Sequence, residues 1–227
     1  MAQVEPETLV TLKDVKANPA VQTLITGAND VLNAMGYTEH GHRHAQIVSS
    51  ITRYILENVG APEREIELAT IAAYLHDIGN VINRINHPMV GAALAFEILK
   101  DMGMPYAEIA PILAAIGNHE ELQGTPVSRA SAALIIADKS DVHFSRVQNP
   151  VYESFDIHDR VNHAVQKSRV EMSPDSDDIT LILHIDSTAA SVMEYFEIFL
   201  SRMVMCRKSA NVLGYRFKLE INGTLLE

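Results

Sequence analysis

His44, His76, Asp77, His87, His119 and Asp138 are the residues whose types and spacing could do chemistry together. Each stands on the apolar side of its own segment. His44 is followed at +3, +4 and +7 by Ile47, Val48 and Ile51, which form one helical face. His76 is preceded at −4 and −8 by Ala72 and Leu68, and Asp77 at −4 by Ala73. His87 opens a segment with Val90, Gly91 and Leu94 below it, His119 follows Ala115 and Ile116, and Asp138 follows Leu134 and Ile135. A buried unpaired carboxylate or imidazolium costs several kcal/mol, so such groups must be paired or coordinated. A single histidine on an apolar face is more often a hydrogen-bonded core residue than a ligand. Six such side chains on five segments are better explained by one or two cations at the centre. Four histidines with two carboxylates suit a borderline divalent metal such as Fe, Mn, Co, Ni or Zn. With no cysteine nearby, a structural zinc site is disfavoured.

The elements that must position these residues are helical. From about residue 19 to 147 the breakers fall between apolar-periodic segments, at Gly36, Gly60-Ala61-Pro62, Gly79-Asn80, Asn86-His87-Pro88, Gly103-Met104-Pro105 and Gly124-Thr125-Pro126. This predicts five or six helices joined by short loops, a helical bundle. Adjacent residues diverge by about 100° on a helix. His76 and Asp77 can therefore converge only near a helix end, which Gly79 supplies.

Later in the chain the pattern changes. Ile179, Leu181, Leu183 and Ile185 alternate as one face of a strand, Tyr215 to Ile221 alternates again, and Asn222-Gly223 is a tight-turn pair. Residues 188–208 read as a helix between these strands, and 172–178 as a linker. The expected class is mainly α, a helical bundle with a small C-terminal α+β lobe. The expected divisions are an N-terminal segment 1–18 with a short β-prone stretch at 8–12, a bundle 19–170 and a lobe 171–227. So small a sheet is marginal alone. It should pack on the bundle, on a second chain or on the 8–12 stretch.

Composition narrows the partners. Eighteen Lys and Arg against 29 Asp and Glu give the 227-residue chain a formal charge of −11. Such a field repels polyanions, so no nucleic-acid polymer is expected. A small phosphorylated substrate remains open, because a divalent metal reverses the sign locally. The single cysteine, Cys206, cannot form an intrachain disulfide, and neither a signal peptide nor an apolar run long enough for a membrane is evident. A cytoplasmic protein without a membrane partner is expected.

The order H…HD…H…H…D resembles the HD-domain superfamily of metal-dependent phosphohydrolases. It is carried by His44 in HGHRHAQIV, the doublet in AAYLHDIGN, His87 in HPMVGAA, His119 in GNHEE and Asp138 in ADKSD, over roughly residues 38–146. The resemblance implies an HD-type bundle. It implies one metal on His44, His76, Asp77 and Asp138, and a second on Asp77, His87 and His119, with Asp77 bridging and catalytic. It also implies hydrolysis of a phosphate ester or anhydride, with a nucleotide as the expected substrate. Some relatives with this histidine set hold di-iron and oxidise a substrate with O2, and ligand identity does not separate the two chemistries. A metal-stabilised regulatory or dimerisation module is a third reading, and a homodimer is expected. The Gly-Tyr-Pro motif of the signalling branch is absent downstream of the doublet, which disfavours a cyclic-dinucleotide phosphodiesterase.

Other residues carry weaker expectations. His40, four residues before His44, and Lys139, next to Asp138, are candidate substrate contacts, though adjacency turns Lys139 about 100° from Asp138. Arg43, Arg84 and Arg146 read as solvated charges at a rim, and Glu120 and Glu121 as helix-end or loop carboxylates. His143, His158, His163 and His184 read as structural or surface residues.

Overall fold

The computed structural model describes residues 9–173 and 175–226. The helices arise where the breakers predict. α1 (Leu12–Ala17) leads into α2 (Pro19–Ala34), α3 (His42–Asn58), α4 (Glu63–Leu75), α5 (His87–Asp101), α6 (Tyr106–Gly117) and α7 (Arg129–Ser140). A short 3-10 turn, Ile78–Val81, joins α4 to α5. Thr11 caps α1 through a reciprocal bond pair with Asp14, so the β-prone stretch is overturned from residue 9 onward. Local capping outweighs weak strand propensity there, and Thr8 lies outside the described residues.

α4 and α7 are the central helices. Every residue from Ala69 to Leu75 and from Ala130 to Ala137 is buried, and a helix buried all round must be surrounded by others. α3 packs on both of them, and α6 also packs on α4 and α7. Ligand-type side chains on α3 and α7 and just past the end of α4 therefore meet at the centre.

The remaining elements are α8 (Ile157–Ala164), β1 (Val165–Ser173), β2 (Asp178–Ile185), α9 (Val192–Leu213), β3 (Arg216–Ile221) and β4 (Thr224–Leu226). The strands form one sheet in the order β1-β2-β3-β4. β1 and β2 are antiparallel, β2 and β3 are parallel with α9 as the crossover, and β3 and β4 are antiparallel. Ile179, Leu181, Leu183 and Ile185 all face the core, as their alternation predicts. Asn222 and Gly223 both take positive φ, which the tight β3–β4 turn requires. The ends of the expected linker belong to strands, because Met172 and Ser173 finish β1 and pair with Ile179 and Asp178 of β2; residue 174 lies outside the described residues. β1 starts at Val165, before the boundary expected from sequence. Of the three packing partners considered for the sheet, the bundle is the one observed. α9 lies along α7, and a continuous apolar core joins Ile55, Ala133, Leu181, Phe199 and Leu219. Among the described residues, no helix is long and apolar enough to cross a membrane.

Candidate metal centre

α4 ends at Leu75, so His76 and Asp77 stand where the helix gives way to the 3-10 turn. Asp77 takes φ −101° and ψ 0°, which lets both side chains point to the same side. Asn80 Nδ2 donates to the Asp77 carbonyl at 2.9 Å and to Asp77 Oδ1 at 2.8 Å, holding the carboxylate in place. Gly79 permits the next approach. A Cβ there would lie 2.1 Å from the His87 carbonyl oxygen and 2.5 Å from Gly91 N. Only a glycine lets the start of α5 sit against the turn and bring His87 to Asp77. His44 comes from the first turn of α3, His119 follows the end of α6, and Asp138 lies in the last turns of α7.

All six ligand-type residues converge. His44 Nε2 lies 3.2 Å from His76 Nε2, 3.6 Å from Asp77 Oδ2 and 3.3 Å from Asp138 Oδ1. His76 Nε2 lies 3.3 Å from Asp77 Oδ2 and 3.7 Å from Asp138 Oδ1. On the other side, His87 Nε2 lies 3.0 Å from His119 Nε2 and 3.3 Å from Asp77 Oδ1, and His119 Nε2 is 3.8 Å from Asp77 Oδ1. Asp77 thus turns one oxygen toward each histidine pair.

The imidazole tautomers show that the set fits a cation. His76, His87 and His119 each donate Nδ1–H to a backbone carbonyl, of Ala73 at 2.8 Å, Arg84 at 2.8 Å and Ile116 at 2.6 Å. A carbonyl only accepts, so Nδ1 carries the proton and Nε2 a lone pair. His44 has the same polarity, with Nδ1 2.7 Å from Asp141 Oδ2. Lone pairs facing each other at 3.0–3.2 Å repel unless a proton or a cation lies between them. Bonds of about 2.1 Å to one ion place neighbouring donors about 3.0–3.4 Å apart, which matches these separations. In the metal-free protein the balance falls on His76. Burial alone would lower its pKa, but Asp77 and Asp138 raise it to about 10. His119 moves the other way, held well below the usual histidine range by burial and by the His76 charge. For both carboxylates burial works upward and is outweighed. His76 holds Asp77 well below the usual range, and Lys139, His44 and His76 do the same for Asp138.

Several groups around the ligands carry more than the sequence reading gave them. Asp141 is buried and accepts from His44 Nδ1 and, in a fork, from Arg43 Nη1 at 3.0 Å and Nη2 at 3.2 Å. Arg146 Nη1 donates to the Asp141 carbonyl at 2.6 Å. A carboxylate behind a ligand histidine fixes its tautomer and raises its basicity. Asp141 sits just past the end of α7, and its only sequence signal is its place three residues after Asp138.

Arg84 and Arg146 are not the solvated charges expected. Arg146 is buried, with Nε and Nη2 donating to the Glu39 carbonyl at 3.0 and 2.8 Å. Arg84 is largely enclosed, 3.1 Å from Glu120 Oε2 and 3.8 Å from Asp77 Oδ1. Arg43 is the most exposed of the three and is tied to Asp141. Lys139 is buried rather than turned out, because its long stem curls back to place Nζ 2.8 Å from Asp138 Oδ2 and 2.8 Å from Glu121 Oε2. Burial would lower its pKa, but these carboxylates hold the ammonium above the usual lysine range. Glu120 and Glu121 are accordingly parts of this charge network and not plain loop carboxylates.

A small recess over the ligands is lined by His40, Asp77, Arg84, Asp138, Lys139, Arg146 and Arg202. His40, Arg84, Arg146 and Arg202 also line a cavity of about 310 Å3 that continues outward to Tyr37, Asp156 and Asn162. His40 packs its ring against His44, with centroids 5.3 Å apart, and commits Nδ1 to the Thr38 carbonyl at 2.6 Å. His158 is exposed at the same cavity, His143 and His163 are half-buried, and His184 is exposed on β2.

The helical bundle thus gathers His44, His76, Asp77, His87, His119 and Asp138 into groups that could hold a metal ion. Residues 41–143 match the family model of the HD domain. It is 25% identical over 205 residues to an uncharacterized protein of Methanocaldococcus jannaschii, covering 80% of this chain and 78% of that one. A crystal structure described as a predicted HD superfamily hydrolase, from an uncultured Thermotogales bacterium, is similar over 59% of this chain and 75% of that one, at 22% identity and TM-score 0.44. A Lactobacillus plantarum protein is similar over 87% of this chain and 89% of that one, at 19% identity and TM-score 0.45.

Proposed function

We propose that the protein is a metal-dependent phosphohydrolase acting on a small phosphorylated molecule of nucleotide size. One observation carries the reading: six converging ligand-type residues open directly onto a cavity ringed by arginines, in a chain whose net charge is −11. A local concentration of cations against that background selects an anionic substrate. His44, His76, Asp77 and Asp138 would hold one divalent metal, and Asp77, His87 and His119 a second. Such metals, when bound, make water a nucleophile near neutral pH and neutralise charge on the phosphoryl oxygens.

The chain's own residues do the rest. Asp77 is the catalytic centrepiece, held by Asn80 and facing both histidine pairs, so it keeps them in register and orients the attacking water. Arg84, 3.8 Å from Asp77, and Lys139, 2.8 Å from Asp138, bind the phosphoryl oxygens as charge builds in the transition state. His40 keeps Nε2 as an acceptor toward the recess, where it can order the water. A cavity of about 310 Å3 lies within the range of small-ligand sites, and Tyr37 is among its lining residues.

The test is metal content and phosphate release on protein purified without chelators and reconstituted with Fe, Mn, Co, Ni or Zn. Near two equivalents are expected, with release of inorganic phosphate or pyrophosphate from nucleotides. Asp77→Asn should lose most of the metal and nearly all turnover while keeping its helical circular dichroism. His87→Ala and His119→Ala should each bring the stoichiometry toward one. O2 consumption without phosphate release would establish the oxygenase reading instead, and metal without any turnover the regulatory one.

A further inference from the structure

The outer cavity is more than an entrance to the metal centre. Three guanidinium groups line it, from three distant segments: Arg84 before α5, Arg146 in the 3-10 turn Phe144–Arg146, and Arg202 in the middle of α9. Arg202 comes from the C-terminal lobe, outside residues 41–143. It is positioned rather than loose. Nε lies 3.1 Å from Glu121 Oε1, and the guanidinium lies over the Phe199 ring at 4.7 Å. Phe199 is buried in the core that joins the lobe to the bundle, so the platform under Arg202 is rigid. Arg146 is buried, and its hydrogen bonds end on the neutral carbonyls of Glu39 and Asp141. The nearest carboxylate oxygen, Asp141 Oδ2, stands 3.7 Å away and already serves His44 and Arg43.

α8 and its cap add two observations at the same cavity. Asp156 caps the helix, with Oδ1 accepting from Asp159 N at 2.8 Å. Asn162 is buried, donates Nδ2 to the His158 carbonyl at 2.9 Å, and has no hydrogen-bond partner for Oδ1. A buried acceptor without a donor is costly. A ligand hydroxyl or N–H in the cavity would satisfy it.

We propose that this cavity is a second anion subsite, where Arg146 and Arg202 take a second phosphoryl group of the substrate and Asn162, further out, accepts from a hydroxyl or N–H of its scaffold. The inference rests on the phosphohydrolase reading for the first phosphoryl group and adds the substrate class. The preferred substrates carry two phosphoryl groups on one small scaffold, and the C-terminal lobe is the part of the chain that selects them. Arg202 is the specificity residue because it connects the lobe to the cavity.

The experiment is calorimetric binding of propane-1,3-diphosphonate and propylphosphonate to the metal-loaded full chain, neither of which can be hydrolysed. The wild type should bind the diphosphonate about tenfold tighter or better, equivalent to ~1.4 kcal/mol, as one charge-assisted contact to phosphate allows. Arg202→Met, which keeps an apolar stem over Phe199, should bring that ratio near one, and Arg202→Lys should restore part of it. A wild-type ratio near one overturns the proposal. So does a ratio that survives Arg202→Met, since the second phosphonate would then sit on the metals, and so does an equal loss for both probes, which would mean a structural role. Diphosphonate selectivity without phosphate release from any nucleotide or bisphosphate would sink the hydrolase reading alone. Turnover without selectivity would sink only the subsite.

Discussion

Replacing Asp141 by Asn tests whether the groups behind the ligands matter as much as the ligands. The Asp141 side chain is 3% exposed and receives His44 Nδ1 at 2.7 Å together with the Arg43 fork. Against the upward pull of burial, Arg146, then His44 and then Arg43 hold its carboxyl well below the usual range. Asn keeps the shape and one acceptor but removes the charge, so two effects should separate. Breaking a buried charge cluster costs ~3–5 kcal/mol, and retention of one acceptor and the partial exposure of Arg43 reduce this to ~2–4 kcal/mol. At ~2–4 °C per kcal/mol for a chain of this size, metal-free protein should melt roughly 4–16 °C lower. Separately, loss of the carboxylate behind a ligand histidine weakens metal binding by about 10–100-fold, or ~1.4–2.7 kcal/mol. The first is read by thermal unfolding of chelator-treated protein, the second by competition with a metal buffer below the melting range. His44→Ala provides the control. If Asp141 acts through His44, adding Asp141→Asn to His44→Ala should change metal affinity little further. A folded Asp141→Asn variant with metal affinity within about twofold of wild type would refute the reasoning, as would additive losses in the double variant.

Two further outcomes follow from the same geometry. Gly79→Ala places a Cβ 2.1 Å from the His87 carbonyl oxygen, which is backbone and cannot step aside. It should cost ~3 kcal/mol or more, seen as a lower unfolding midpoint, together with loss of the His87 side of the metal site; a variant as stable as wild type would mean α5 does not press on the turn. Metal binding should also release protons. His76 holds a proton up to a pKa of about 10 in the metal-free protein. That proton is present below this value and must leave for Nε2 to bind a metal, so about one proton per chain should be displaced between pH 7 and 9. Affinity should therefore rise with pH through that window, and calorimetry in buffers of different ionisation enthalpy would show a zero proton count if His76 is not a ligand.

The bundle was legible because α2 to α7 follow from breakers and apolar stripes, both local properties of a chain. The lobe was legible where its strands alternate, at Ile179 to Ile185 and Arg216 to Ile221. β1 was missed because Val165–Ser173 is mostly polar and exposed, so its strand character comes from pairing with β2 rather than from a pattern of its own. α8 carries little signal of its own for a similar reason: it has eight residues, held by the Asp156 cap and one buried side.

At the site, the residue types and spacing of His44, His76, Asp77, His87, His119 and Asp138 were enough to predict a common centre. Six costly side chains on apolar stripes need one solution, and that requirement can be read without coordinates. Tertiary structure decided what surrounds them. Arg43, Arg146 and His44 reach Asp141 across about a hundred positions of chain or across a turn, and Arg202 reaches Glu121 from the other lobe. Arginine and lysine stems are long and flexible, so sequence leaves open whether their charges end in water or in a cavity. For Arg146 and Lys139 packing answered it, by surrounding each stem with protein and leaving its charge only carbonyls, carboxylates and the cavity to face.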